Sequence, residues 1–160
     1  FKMKRIGYKG NNIEVYKLRT MYPYSEYCQD LVHKINELDD SGKFKNDFRV
    51  TTWGKIFRKF WIDEIPMIIN FLKGELNIVG VRPISQSYYL KYPKDLQELR
   101  IKIKPGLIPP YYADMPNNFE EILLSEKKYI MRKLKKPIST DIKYFTRVFV
   151  NIVLKGARSK

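Results

Sequence analysis

The 160-residue chain reads as a helix-dominated α+β single domain with a small N-terminal β-hairpin and amphipathic helices suited to an interface. Three observations carry that prediction. Residues 4–21, KRIGYKGNNIEVYKLRTM, set Gly7 and a Gly10-Asn11-Asn12 turn signal beside strand-forming Ile13, Val15 and Leu18, the pattern of a hairpin. Apolar residues recur at helical spacing over 25–38, 62–72, 119–134 and 139–156. Beyond the hairpin, the extended pieces are short and lie around 76–82.

Taken in order, Tyr27, Leu31, Ile35 and Leu38 predict an amphipathic helix that Asp39-Asp40-Ser41-Gly42 ends. An acid pair followed by Ser and Gly reads as a solvated turn in preference to a metal site. Residues 43–52 read as a loop or short extended piece around Phe48 and Val50, and Thr51 to Gly54 open the next helix. The chain is organised around 57–83, FRKFWIDEIPMIINFLKGELNIVGVRP. Apolar residues at 62, 65, 68, 69 and 72 predict a helix with one buried stripe. It starts near Asp63-Glu64, with Pro66 in or just beyond its first turn, and stops at Gly74.

Residues 84–104 interleave Tyr88, Tyr89, Tyr92, Leu96 and Leu99 with Lys91, Lys94, Arg100, Lys102 and Lys104. Such a face is either core aromatics with a solvated charged side or a stacking platform for nucleic acid. Pro105 to Pro110 reads as a rigid turn, and 119–134 as a helix. Over 139–156, Ser139 or Thr140 is the expected cap, with Ile142, Phe145, Phe149, Ile152 and Val153 as the apolar face. That last helix either packs on the domain or lies in a membrane interface, where each basic residue adds roughly 1 kcal/mol near anionic lipid.

Composition narrows the function classes. Lys and Arg number 31 against 17 acids, a formal charge of +14, which implies a polyanionic partner: nucleic acid, phosphorylated substrates or an anionic membrane face. Twelve Tyr, nine Phe and two Trp add rings that sit well at a lipid headgroup boundary. The lone Cys28 forms no internal disulfide and reads as a small, partly buried hydrophobe. His33 is the only histidine and reads as structural or exposed, so Ser-His and Cys-His catalysis is set aside. No apolar run reaches the length of a spanning helix, and no signal peptide is visible.

Asp63 and Glu64 lie between the cationic lead-in Arg58-Lys59 and the exit Arg82. Two acids at a helix start are everyday caps. The same place, with its free N–H groups and dipole, also suits a phosphate or a divalent cation. The ordered string decides for chemistry. Asp-Glu-x-Pro, then Ile-Ile-Asn-x-Leu-Lys-Gly-Glu, then Val-Gly-x-Arg-Pro resembles the core signature of the bacterial sugar transferases, the monotopic polyprenyl-phosphate phosphoglycosyl transferases. The opening is similar too, with Arg5, Gly7, Gly10, Tyr16, Lys17, Arg19, Thr20 and Met21 in place and Ile13 where an aromatic is usual. Lys104, Pro105, Gly106 and Leu107 match a further family segment. Val81 stands where Pro is usual, Ile108-Pro109 where Thr-Gly is, and Trp61 where Ser is common.

The resemblance implies a catalytic domain over 1–160. The re-entrant membrane helix that precedes this segment in the family is expected to be absent from this chain. It implies transfer of a sugar-1-phosphate from a UDP-sugar to polyprenyl (undecaprenyl) phosphate, with release of UMP, at the cytoplasmic face of a bacterial inner membrane. Asp63 is then the nucleophile, Glu64 the helper that binds Mg2+ with it or positions the acceptor phosphate. Lys17, Arg19, Arg58 and Arg82 neutralise the phosphoryl oxygens. The expected partners are the UDP-sugar, the polyprenyl phosphate and an anionic membrane surface. A non-enzymatic basic module for nucleic acid or an acidic partner uses the charge but gives the acid pair no role. A catalytically silent scaffold is the third reading, and the retained acids and arginines argue against it.

Overall fold

A computed structural model describes residues 1–28, 31, 32, 34, 47–154 and 156. Strand β1 (Lys2–Ile6) pairs antiparallel with β2 (Asn12–Tyr16) from Lys2 opposite Tyr16 to Ile6 opposite Asn12, around a short 3-10 turn at Tyr8–Gly10. This is the expected hairpin. Helix α1 spans Thr52–Lys59, and a 3-10 turn over Ile62–Met67 runs into α2 (Ile68–Leu72). Strand β3 (Asn77–Val79) then lies parallel to β4 (Gly106–Ile108). Between them sit α3 (Gln86–Tyr89) and α4 (Lys94–Arg100), and after β4 come α5 (Tyr111–Asp114), α6 (Phe119–Lys135) and α7 (Pro137–Leu154).

The main core gathers Val79, Val81, Ile84, Tyr92, Leu96, Ile103, Tyr129, Ile130, Tyr144 and Val148 from β3, α4, α6 and α7 and the connections between them. Tyr88, Tyr92 and Phe119 pack edge to face with centroids 5.8–5.9 Å apart. The tyrosines of 84–104 are therefore packed inward, and the stacking-platform reading falls. Val15, Met67 and Leu76 form a second cluster beneath the hairpin.

Four expectations need correction. The stripe at 65, 68, 69 and 72 faces outward, with Leu72 77% exposed, while Asp63, Met67 and Asn70 form the inner face. Polar needs override apolar periodicity there: Asn70 accepts from the Tyr16 amide at 3.0 Å and donates to the Glu14 carbonyl at 2.7 Å. A buried amide with its bonds made is held in place far more firmly than a surface isoleucine. Residues 106–108 are a strand instead of a turn, held by the Asn77 amide donating to the Pro105 carbonyl at 2.8 Å and the Gly80 amide to the Ile108 carbonyl at 3.2 Å. Helix α7 starts at Pro137, a residue whose missing N–H suits a first turn, so Ser139 and Thr140 lie inside it and are not its cap. Its buried face is Thr140, Tyr144, Val148 and Asn151, and Ile142, Phe145, Phe149 and Val153 point outward.

Of the helix expected over 25–38, Ser25–Cys28 is a 3-10 turn, Tyr27 and Leu31 are exposed and Val32 is buried. Ile35, Leu38, His33 and the Asp39-Asp40 pair lie outside the described residues. No helix among the described residues is long and apolar enough to cross a membrane.

Candidate active site

The site begins with the way α1 is seated. Thr51 caps it, its hydroxyl accepting from the Gly54 amide at 2.9 Å. Gly54 lies so close to the Thr20 carbonyl that a Cβ would collide with it. One turn later Arg58 Nε reaches the Thr20 hydroxyl at 2.9 Å, which anchors the guanidinium beside the coming acids. Trp61 then adopts a left-handed conformation, φ 57° and ψ 18°, a strained choice for a bulky residue. Its indole N–H donates to the Tyr112 hydroxyl at 3.1 Å and the rings meet edge to face at 5.4 Å. That reversal starts the 3-10 turn and carries Asp63 inward, where it is 8% exposed.

Glu64 is the hub of the ion pairs. Lys17 Nζ and Arg82 Nη2 both donate to its Oε1, the latter at 3.0 Å. Arg82 Nη1 donates to the Tyr111 hydroxyl at 2.9 Å. Lys17 is delivered by the end of β2, where the Leu18 amide donates to the Asp63 carbonyl at 2.9 Å. A cavity of about 50 Å³ opens among Arg5, Lys17, Glu64, Arg82, Gly106 and Pro109. No side chain among the described residues donates to the Asp63 carboxylate.

Electrostatics follow from this layout. Burial raises the Asp63 carboxyl above the usual aspartate range and Glu64 adds to the rise, while Lys17 and Arg58 pull it back in part. Burial pushes the Lys17 ammonium down, helped by Arg82 and opposed by Glu64. Burial and Arg82 lower Arg5 in the same way, and burial raises Tyr111, which keeps its hydroxyl neutral as a partner for Arg82. Two cations are thus held against Glu64, and beside it the Asp63 carboxylate has no side-chain donor among the described residues.

Of the residues expected here, Asp63, Glu64, Lys17, Arg58 and Arg82 come together. Arg19 does not: it is exposed, its guanidinium carbon 5.4 Å from the Phe1 ring centroid. Arg5 was missed, although alternation along β1 places it with Met3, opposite Ile13 and Val15, on the inward face. Tyr111 had no sequence signal, since only the β3–β4 pairing brings α5 beside Arg82. The departures find partners: Val81 fills the core and Trp61 meets Tyr112.

The description "bacterial sugar transferase" belongs to a family model that matches residues 1–155. The chain is a member of the bacterial sugar transferase family. The galactosyl transferase CpsE of Streptococcus agalactiae is 34% identical over 166 aligned residues, which cover 100% of this chain and 35% of that protein. The UDP-glucose:undecaprenyl-phosphate glucose-1-phosphate transferase of Klebsiella pneumoniae is 36% identical, covering 67% of this chain and 21% of its own. The undecaprenyl-phosphate galactose phosphotransferase of Salmonella typhimurium is 33% identical over 65% of this chain and 23% of its own. The chain spans less than half the length of each.

Among the described residues no three His, Cys, Asp or Glu side chains gather as a metal cage. Magnesium, however, commonly takes one or two carboxylates and completes its shell with water and substrate phosphates. Asp63, with no side-chain donor among the described residues, and its neighbour Glu64 are oxygen donors of the right class for such a shared site.

Proposed function

We propose that this sugar transferase family member is the catalytic domain of a phosphoglycosyl transferase, moving a sugar-1-phosphate from a UDP-sugar to polyprenyl phosphate. The observation that carries the reading is the unequal treatment of two adjacent acids. Glu64 is saturated by Lys17 and Arg82, whereas Asp63, buried beside Arg58, receives no side-chain hydrogen bond among the described residues. A nucleophile must be unencumbered and a charge-balancing acid must not be.

In the first step an Asp63 oxygen attacks the phosphorus that carries the sugar. The bond from that phosphorus to the bridging oxygen breaks, and UMP leaves with the electron pair. The product is an aspartyl-phosphosugar. In the second step a phosphate oxygen of the polyprenyl phosphate attacks the same phosphorus and the Asp63 carboxylate departs, giving the lipid diphosphosugar. Arg82, Lys17 and Arg58, joined by Arg5, balance the negative charge that builds on the phosphoryl oxygens. Arg19 would serve the diphosphate only by leaving Phe1. Bound magnesium would neutralise diphosphate oxygens from the Asp63-Glu64 side.

The acceptor is a lipid, and the outward apolar stripe gives the domain a way to meet it. Ile65, Ile68, Ile69 and Leu72 on the acid-bearing segment are joined by Trp53 and Ile56 of α1 and by Phe60 just past its end, with exposed Lys55, Lys59 and Lys73 alongside. Apolar residues flanked by lysines suit an anionic bilayer surface, at the cytoplasmic face where the UDP-sugar is supplied. The experiment is a panel of UDP-sugars with polyprenyl phosphate in detergent, read as UMP release. The reading expects release with at least one sugar, dependent on the lipid and on Mg2+. Silence across the panel, with the protein folded, rejects it.

A further inference from the structure

Arg82 can serve a phosphoryl group only if its backbone is fixed, and the strand exit that carries it is gripped from inside the core. Arg100 on α4 is 6% exposed, and its Nη2 donates to the Arg82 carbonyl at 2.6 Å. Its Nη1 pairs with Glu126 on α6, itself 1% exposed, and its guanidinium carbon lies 4.8 Å from the Tyr92 ring centroid. At the other end of the same run, Lys133 Nζ and the Tyr129 hydroxyl donate to the Val79 carbonyl at 3.2 and 3.0 Å. Asp141 accepts from both of them.

Between the two grips, Gly80 meets Gly106 so closely that a Cβ on Gly80 would lie 2.6 Å from the Gly106 nitrogen. The run from 79 to 82 therefore cannot slide along its partner strand without breaking two cation–carbonyl contacts. Stability alone does not call for such pairs. Replacing a buried ion pair by packed apolar residues is often neutral or favourable, because both charges lose their hydration. What an apolar pair cannot do is donate to the Arg82 carbonyl.

We infer that Arg100, neutralised by Glu126, is a positioning residue that aims the Arg82 side chain at Glu64 and the reacting phosphoryl group. The inference rests on the phosphoglycosyl transferase reading for its catalytic consequence, but not for the grip itself. Arg100 is suited to the task because its planar fork serves a carboxylate and a carbonyl at once, where a lysine ammonium offers a single point charge.

Two variants test it in the full chain: Arg100→Met with Glu126→Leu, which keeps the volume apolar, and Arg100→Lys, which keeps the charge. Backbone amide exchange over 80–85 should quicken at least about tenfold in each relative to wild type, while exchange in the β1–β2 hairpin stays unchanged. Turnover of the accepted UDP-sugar should fall about tenfold to a hundredfold in kcat, with KM moving less than about threefold, since the loss is one of aim at the reacting group. If the double variant does not fold, Arg100→Lys decides. A folded variant with wild-type exchange over 80–85 overturns the grip, and one with quickened exchange but wild-type kcat overturns its consequence. Wild-type protein inactive with every UDP-sugar would reject the functional reading instead, leaving the exchange comparison to judge the grip.

Discussion

Glu64 accepts from Arg82 at 3.0 Å on the oxygen that Lys17 also holds, while adjacent Asp63 receives no side-chain hydrogen bond among the described residues. One carboxylate is spent on balancing cations so that its neighbour stays available.

Asp63→Asn should abolish turnover and stabilise the fold. Burial makes the charged form unfavourable at this position, so the neutral isostere relieves a cost. The gain expected is on the order of 0.5–2 kcal/mol, the usual scale of relieving a functional-site strain. Denaturant unfolding of both proteins at pH 7 measures it; a less stable asparagine variant would contradict the burial argument.

Glu64→Gln should behave in the opposite way. It leaves Lys17 and Arg82 facing each other without their shared anion, and should cost about 1–3 kcal/mol as well as activity. Unfolding midpoints of the two single variants, compared side by side, must move in opposite directions.

pH should act through the same pair. Turnover needs ionised Asp63, whose carboxyl titrates above the usual aspartate range, so the acid limb of kcat/KM should lie higher than for an ordinary aspartate. Lys17 loses its proton below the ordinary lysine range, which brings the alkaline limb down. The folded state binds the Asp63 proton more tightly than the unfolded chain, so Asp63's contribution to stability is fully present below the unfolded aspartate pKa. It is lost as pH rises through the folded value. The advantage of Asp63→Asn over wild type should therefore grow across that window and then level off.

Asn70→Ala should cost about 1–3 kcal/mol, because the Tyr16 amide and the Glu14 carbonyl lose their buried partner. Since Asn70 registers β2 against α2, and β2 delivers Lys17, activity should fall with it.

Much of this was legible in the chain. The hairpin followed from a Gly-Asn turn between strand formers, and the acids from an ordered string of residues around Asp63. What failed was periodicity read as burial. Ile65, Ile68, Ile69 and Leu72 do repeat at helical spacing, yet the inner face belongs to Asp63, Met67 and Asn70, because the Asn70 amide answers to specific buried partners and the reversal at Trp61 carries Asp63 inward. Tyr111 and the Arg100–Glu126 grip were illegible for another reason. They join residues 29 and 26 positions apart through the β3–β4 pairing and helix packing, and no local pattern encodes such contacts.

The outward stripe makes its own prediction. Ile65→Gln with Leu72→Gln should leave the unfolding midpoint within about 0.5 kcal/mol of wild type, as surface changes do. Binding to vesicles of anionic phospholipid should weaken clearly, and a large loss of stability would instead return the stripe to the core.

The most direct measurement mixes the protein with its UDP-sugar and isotopically labelled UMP, with no lipid acceptor present. An aspartyl-phosphosugar formed reversibly at Asp63 predicts that label enters the UDP-sugar, and that Asp63→Asn, folded, exchanges none. Exchange that persists in that variant would contradict the account at its centre.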